Sequence, residues 1–257
     1  MAETIIQKCS EIIQKSNRIV VLTGAGISTE SGIKDFRSDR GIYQLIPEEV
    51  LSLNYFYQHP KEFYEFSLEY LYHPEAMPND GHKILAKWEE AGKVEAIITQ
   101  NIDELHQKAG SRTVIEFHGT IKTATCLNCG KKYTVKDLVQ RRKESADFFV
   151  CDHCRTTNKQ HRYIKPDVVL YGDAGEWFTE EGFNTIIQKI RNADCLLVLG
   201  TSLKVTPFSL FPRYRRDHVP MIIVNKGTTP YDALFQTYVI HASIGETLKQ
   251  IDGKISD

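Results

Sequence analysis

The sequence predicts an α/β protein, a doubly wound parallel sheet into which a second, smaller domain is inserted. Two patterns support this. Short apolar runs at 19–22, 94–99, 168–171, 195–200 and 220–225 alternate with helix-length segments. Each run is apolar at successive positions, which suits parallel strands covered on both faces. Two further segments break the rhythm, 47–79 and 121–165, and together they are expected to build the smaller domain. The remainder, 1–46, 80–120 and 166–257, is expected to form the larger one. A chain of 257 residues is long enough for both.

Along the chain, residues 1–18 place Ile5, Ile6, Ile12 and Ile13 on one side of an amphipathic helix. They lack the long apolar core and small-residue cleavage site of a secretory signal. The first strand, 19–22, runs into Gly24-Ala25-Gly26, a tight loop whose backbone N–H groups are expected to approach a pyrophosphate. A third glycine is missing, because Thr29 stands where G-x-G-x-x-G would need it. Asp35-Phe36-Arg37 follows, and by itself it also fits a loop aromatic beside an ion pair. Residues 47–79 are helix-like and rich in aromatics, among them Tyr55, Phe56, Phe63, Tyr64 and Phe66. After the strand 94–99 comes Gln100-Asn101-Ile102-Asp103, at the strand end where open α/β sheets bind ligands, although Asn and Asp are also ordinary turn residues.

Segment 121–165 is polar and carries two CxxC pairs, Cys126/Cys129 and Cys151/Cys154. Two such turns place four thiolates around one Zn²⁺ and leave no open position for water, so the metal is expected to be structural; redox dithiols or an iron–sulfur cluster are the alternatives. His153 could compete as a ligand but also suits a solvated position. Cys9 and Cys195 are expected to be buried small hydrophobes. A second glycine turn, Gly200-Thr201-Ser202, follows the strand 195–199, and Asn225 ends the next one. Arg213, Arg215 and Arg216 are expected on a solvated face. The chain carries a net charge of −1, with 32 basic and 33 acidic residues. That balance supports neither a nucleic-acid nor a membrane partner. The protein is expected to be soluble and cytoplasmic.

The motifs TGAGISTESGIKDFRSDRGIY, TQNID, HGT and GTS, taken in this order, resemble the sirtuin family of NAD-dependent protein deacylases. The resemblance implies a Rossmann-like domain for NAD and an acyl-lysine peptide bound in a cleft between the domains. It implies NAD contacts from Gly24, Ala25, Gly26, Ser28, Asp35, Phe36, Arg37, Tyr43, Gln100 and Ile102. On the far side of the cleft it adds Gly200, Thr201, Ser202, Asn225, Lys226 and Ser243. Phe36 would shield the nicotinamide end from water, while Asn101 and Asp103 would meet ribose and carboxamide. His118 would be the catalytic base, taking a proton through the ribose hydroxyls after the acyl oxygen attacks C1′; seen alone, it would fit a satisfied core histidine.

Residues 165–173, KPDVVLYGD, resemble the family's RPDVVxFGE. They imply an acyl tunnel lined by Val169 and Tyr171, with substrate strands pairing on Gly172 and Val205. Sirtuins that favour succinyl- or malonyl-lysine carry Tyr-x-x-Arg where this chain has Tyr64 and Ser67, which implies a preference for neutral acyl groups. Lys34, Ser38 and Glu104 depart from the family's usual proline, glycine and glycine. A mono-ADP-ribosyltransferase or NAD glycohydrolase needs the same C1′ activation and is the alternative reading.

Overall fold

The structure, a computed structural model, describes residues 2–156 and 162–255. In chain order the helices and strands are α1 (Ala2–Lys15), β1 (Ile19–Thr23), α2 (Leu53–Gln58), α3 (Pro60–Phe66), α4 (Asp80–Glu90), β2 (Val94–Thr99), α5 (Leu105–Ala109), β3 (Val114–Glu116) and β4 (Gly119–Cys126). There follow β5 (Lys132–Thr134), α6 (Val135–Glu144), β6 (Ile164–Val168), α7 (Glu180–Asn192), β7 (Cys195–Leu199), β8 (Met221–Val224), β9 (Thr237–Ile240) and α8 (Ile244–Ile255). Six strands form one all-parallel sheet in the order β3-β2-β1-β7-β8-β9. The chain winds outward in both directions from β1 and β7, so these two strands flank the switch point of the sheet.

The alternation of side chains decides how the sheet is covered. Ile19, Val21, Leu197 and Val224 pack with α1, α4 and α8 on one face. Val20, Leu22, Leu196 and Ile223 pack with Ile186 and Ile190 of α7, and with Phe208 and Phe211, on the other. Both faces are dry, which is why these strands are apolar at every position. Cys9 and Cys195 are fully buried in the first of these layers, as expected.

The two rhythm-breaking segments share a single core. Val50, Phe56, Phe63 and Tyr64 from the helical segment pack with Tyr133, Leu138, Phe149 and Ile164 around the second sheet. That sheet is antiparallel, in the order β5-β4-β6. Its strands begin at Gly119 and end at Val168, so it reaches a few residues beyond 121–165 on both sides.

Three expectations need correction. The run 168–171 is not a strand of the large sheet: Val168 ends β6 in the small sheet, and the chain continues extended outside either sheet. Its backbone is claimed elsewhere, with Val169 N donating to His118 O (2.9 Å) and Tyr171 N to Leu51 O (2.9 Å). Secondly, the large sheet has two edge strands, β3 and β9, that lack a continuous apolar run. Lastly, the arginine cluster is not simply solvated. Arg215 donates to the carbonyls of Val219 and Phe235, and Arg216 to that of Ala193.

Candidate functional site

Parallel register brings the ends of β1, β2 and β7 level, because Thr23 pairs with both Thr99 and Leu199. The loops that follow therefore emerge side by side. Gly24 N donates to Leu199 O (3.1 Å) and Gly26 N to Gly200 O (2.9 Å). A Cβ on Gly26 would lie 2.7 Å from Gly200 Cα, and one on Gly200 would lie 2.4 Å from Ile27 N. The glycines thus allow two loops to touch backbone to backbone. This corrects the expectation of a phosphate cradle at these positions, since the N–H groups of Gly24 and Gly26 are already committed. Thr201 Oγ1 donates to Gln100 Oε1 (2.8 Å) and ties in the third loop.

Over this seam opens a cavity of about 890 Å³. It is lined by every residue named above for NAD or acyl-peptide contact except Gly24, Ser28, Asn101, Asp103 and Tyr64. Three of these five form a network of their own. Ser28 Oγ donates to Asp103 Oδ2 (2.6 Å) and accepts from Asn101 Nδ2 (3.1 Å). Asp103 Oδ1 accepts from Leu105 N (2.9 Å). The network fixes the 100–103 turn that presents Gln100 and Ile102 to the cavity. Next to it Glu104 adopts φ 61°, the left-handed region where glycine is at ease, and its carboxylate pairs with Lys122 (3.0 Å).

Tyr64 is different. It is 1 % exposed and packs in the small-domain core, where its hydroxyl donates to Ile164 O. Ser67 is buried beside it at 2 %. The structure therefore assigns Tyr64 to packing and places it away from the cavity wall.

His118 lies where β3 hands over to β4, with its ring against Phe117 and Phe208 (centroids 5.3 and 6.4 Å). Its Nδ1 is 3.2 Å from Gln100 O. A carbonyl can only accept, so Nδ1 carries the hydrogen and Nε2 keeps the lone pair. Burial pushes the imidazole down to about 4, against a smaller opposing effect of the Gln100 hydrogen bond. The ring is therefore neutral at pH 7, and Nε2 is available as a proton acceptor.

A pair of histidines lies below the site. His82 and His106 are fully buried, with ring centroids 4.9 Å apart. His106 Nε2 meets Thr23 Oγ1 at 3.0 Å, while both ring nitrogens of His82 lack a protein partner among the described residues. Burial pushes His82 down to about 4, opposed by Asp103 and Glu30, and holds His106 well below the usual histidine range, with His82 adding to the effect.

The segment 168–173 has one backbone edge already used. Val169 N and Tyr171 N and O bond to His118, Leu51 and Leu53. Beyond Tyr171 the chain leaves the extended form: Gly172 takes φ 83°, in a turn closed by Asp173 N donating to Leu170 O (2.9 Å), and its own N–H and C=O make no backbone hydrogen bond among the described residues. Lys165, only 8 % exposed, secures the end of this segment through Asp173 Oδ2 (2.7 Å) and Val168 O (2.8 Å). Lys165 and Asp173 stand where RPDVVxFGE has arginine and glutamate, and that paired departure was the available sign of an ion pair.

Far from the cavity, the sulfurs of Cys126, Cys129, Cys151 and Cys154 lie within 4.8 Å of one another. The pairs Cys126–Cys154 and Cys129–Cys151 are each 3.8 Å apart. That matches a tetrahedral zinc with Zn–S bonds of about 2.3 Å, whose sulfurs sit about 3.8 Å from each other. It is far too long for disulfides. Asn128 Nδ2 (3.2 Å) and Tyr133 Oη (3.1 Å) donate to Cys154 and Cys151 and can stabilise thiolates. His153 is exposed and outside this set. Residues 157–161 of the same segment lie outside the described chain.

A doubly wound sheet with a cleft at its switch point, walled by a lobe carrying a four-thiolate metal site, defines a dinucleotide-binding protein with a zinc module. The chain belongs to the Sir2 family, which matches residues 24–207. It is 42 % identical over 224 residues to the NAD-dependent protein deacetylase of Thermotoga maritima, covering 86 % of this chain and 87 % of that one. Among solved structures it resembles a Sir2 histidine-to-alanine variant with deacetylated p53 peptide and 3′-O-acetyl ADP-ribose (TM-score 0.86, 36 % identity, 97 % and 98 % coverage). It also resembles Sir2Tm bound to a propionylated peptide (TM-score 0.81, 37 % identity, 95 % and 97 % coverage).

Two outcomes follow from this geometry. Cys151→Ser should release the metal and lower the melting temperature, since the thiolates join β4 to the turn before β6. Metal analysis together with thermal unfolding checks this, and a metal-free variant with unchanged melting would contradict it. Stability should also fall as the pH drops from about 6.5 to about 4. In that window the unfolded chain protonates its histidines, while folded His82 and His118 do not until about 4. The unfolded state then binds more protons, and acid favours it. Melting temperatures measured across pH 4.5–7 test this, and a flat profile would contradict it.

Proposed function

We propose that the protein is an NAD-dependent protein-lysine deacylase that transfers the acyl group to ADP-ribose, releasing nicotinamide and O-acyl-ADP-ribose. The observation that carries this reading is His118. It is a neutral imidazole whose Nε2 has no hydrogen-bond partner among the described residues, in the same cavity as Gly172 and the cluster of polar loop ends. When bound, NAD supplies an anomeric carbon that becomes electrophilic as nicotinamide departs. The residues suit such a group. Ile102 and Phe36 offer apolar surface for the nicotinamide end, with Asp35, Arg37 and Tyr43 beside them. Ala25, Gly26, Gln100, Gly200, Thr201 and Ser202 would hold the diphosphate and ribose, and Asn225, Lys226 and Ser243 the adenosine end.

In this reading Ser28, Asn101 and Asp103 act from behind the wall by fixing the turn that carries Gln100 and Ile102. The substrate peptide adds as a strand between Gly172 and Val205, aligning its acyl-lysine with Val169 and Tyr171. Holding both reactants in one water-poor cleft supplies the proximity that a weak amide nucleophile needs. His118 Nε2 accepts the proton released as the acyl group is transferred. The larger domain would hold NAD, and the smaller would supply the other wall and the zinc site. Cysteines kept as thiolates suit a reducing compartment, and we assign the protein to the cytoplasm. No helix among the described residues is long and apolar enough to cross a membrane.

His118→Ala should leave zinc and fold intact and lower deacylation by at least about 100-fold, as loss of a general base does. Near-normal turnover by a folded, metal-loaded variant would overturn the assignment. For acyl preference, Tyr64 and Ser67 are buried away from the cavity, and Arg37 is already paired with Glu48 (2.7 Å). A succinyl carboxylate would then find no Tyr-x-x-Arg partner at positions 64 and 67, and a charge desolvated without a partner costs several kcal/mol. We expect kcat/KM for an acetyl peptide to exceed that for its succinyl counterpart by about 100-fold or more on that basis. Equal use of the two would contradict it.

A further inference from the structure

The mouth of the cleft is bridged by side chains from three separate segments. Glu48 Oε1 accepts from Arg37 Nη2 (2.7 Å) and from Tyr171 Oη (2.6 Å). Arg37 Nη2 is also 3.4 Å from Tyr171 Oη, and Tyr43 Oη is 3.5 Å from the same oxygen. The Arg37 guanidinium stands 5.1 Å from the Tyr43 ring centroid. Arg37 and Tyr43 belong to the 33–44 loop over the cofactor end, Glu48 to the 3₁₀ turn Glu48–Leu51, and Tyr171 to the segment that carries the substrate edge.

We propose that Glu48 and the Tyr171 hydroxyl are positioning residues, coupling the order of the 33–44 loop to the occupancy of the acyl-peptide wall. Among the described residues, backbone hydrogen bonds of this loop are internal apart from Ile33 N to Ser28 O (3.3 Å) at its base and Leu45 N and Ile46 N to Ile42 O (2.9 and 3.2 Å) where it ends. Phe36, Ile42 and Tyr43 pack against the small-domain core, and the Glu48 clasp adds a directional polar tie at Arg37. The clasp adds little to global stability, because the side chains of Arg37 and Glu48 are 34 % and 50 % exposed. Its effect is on orientation. Tyr171 is 41 % exposed on the cavity wall, so burial does not explain its side chain. Its hydroxyl is what a phenylalanine at this position, as in RPDVVxFGE, would lack. An acyl chain packed on the Tyr171 ring restricts the phenol, the phenol restricts Glu48, and Glu48 restricts Arg37. A dinucleotide arriving under the loop meets a cation already aimed, and by linkage each ligand tightens the other by the same factor.

The proposal rests on the deacylase reading for the identity of the peptide, so its test includes a readout without peptide. ADP-ribose binding is measured by calorimetry with and without an acetyl-lysine peptide, on wild type, Tyr171→Phe, Glu48→Gln and the double variant. Tryptic cleavage after Arg40 is timed on the same free proteins. We expect the peptide to tighten ADP-ribose binding by about fivefold or more in wild type. Each single variant should lose most of that factor, and the double variant should lose no more than either single. Cleavage should be faster in all three variants, with melting temperatures unchanged.

Unaltered peptide coupling and cleavage in the single variants would overturn the proposal, as would additive losses in the double variant. Wild-type binding of ADP-ribose that ignores a bound peptide would also overturn it. Should wild type bind neither ligand, the deacylase reading fails, while the cleavage rates still decide whether the clasp holds the loop.

Discussion

Contact between two loops governs the whole site. β1 and β7 are neighbours in the sheet, and their chains leave it at the same level, so Gly26 and Gly200 must pass at a distance that excludes any Cβ. The close approach leaves no room for side chains at the seam and creates a polar floor. Thr201 and Gln100 bind to each other across it. Above the floor the two strand sets diverge, and the cavity is the space they leave. Everything else in the cleft is positioned from this floor. The Gln100 carbonyl that sets the tautomer of His118 comes from a turn whose geometry is held by Ser28, Asn101 and Asp103.

The second wall is built by a different principle. The helical segment and the zinc module cannot each bury a core alone, and they solve this jointly through Phe56, Phe63 and Tyr64 packed against Phe148 and Phe149. The four thiolates hold the far end of that lobe, while the Tyr171 backbone joins the near end to Leu51 and Leu53. His118 O, bonded to Val169 N, links the turn between β3 and β4 directly to the segment that follows β6.

The parts of this arrangement that depend on local sequence were legible beforehand. The central strands β1, β2, β7 and β8 are covered on both faces and announce themselves as unbroken apolar runs. The CxxC pairs carry their own metal spacing. The edge strand β9 is half-buried at every position, so Thr237 and Tyr238 give no such run, and β3 is only Val114–Glu116. The run 168–171 looks like a sheet strand because Val168 and Leu170 are buried, yet its partners are His118 and Leu51, distant in sequence. Tyr64 reads as a wall residue from its place in a motif, whereas the carbonyl of Ile164, about a hundred residues on, binds its hydroxyl in the core. Likewise, Glu48 gives no local sign of meeting Arg37 and Tyr171. Contacts of that kind follow from topology, and single-residue patterns do not contain them.

Transfer of the acyl group from lysine to ADP-ribose within this cleft leaves a definite set of products. The most direct test incubates the zinc-loaded protein with NAD and an acetyl-lysine peptide and quantifies every product by mass. Nicotinamide, deacetylated peptide and O-acetyl-ADP-ribose should appear in equal amounts. Nicotinamide released with free ADP-ribose, or with ADP-ribose attached to protein, while the peptide keeps its acetyl group would contradict it.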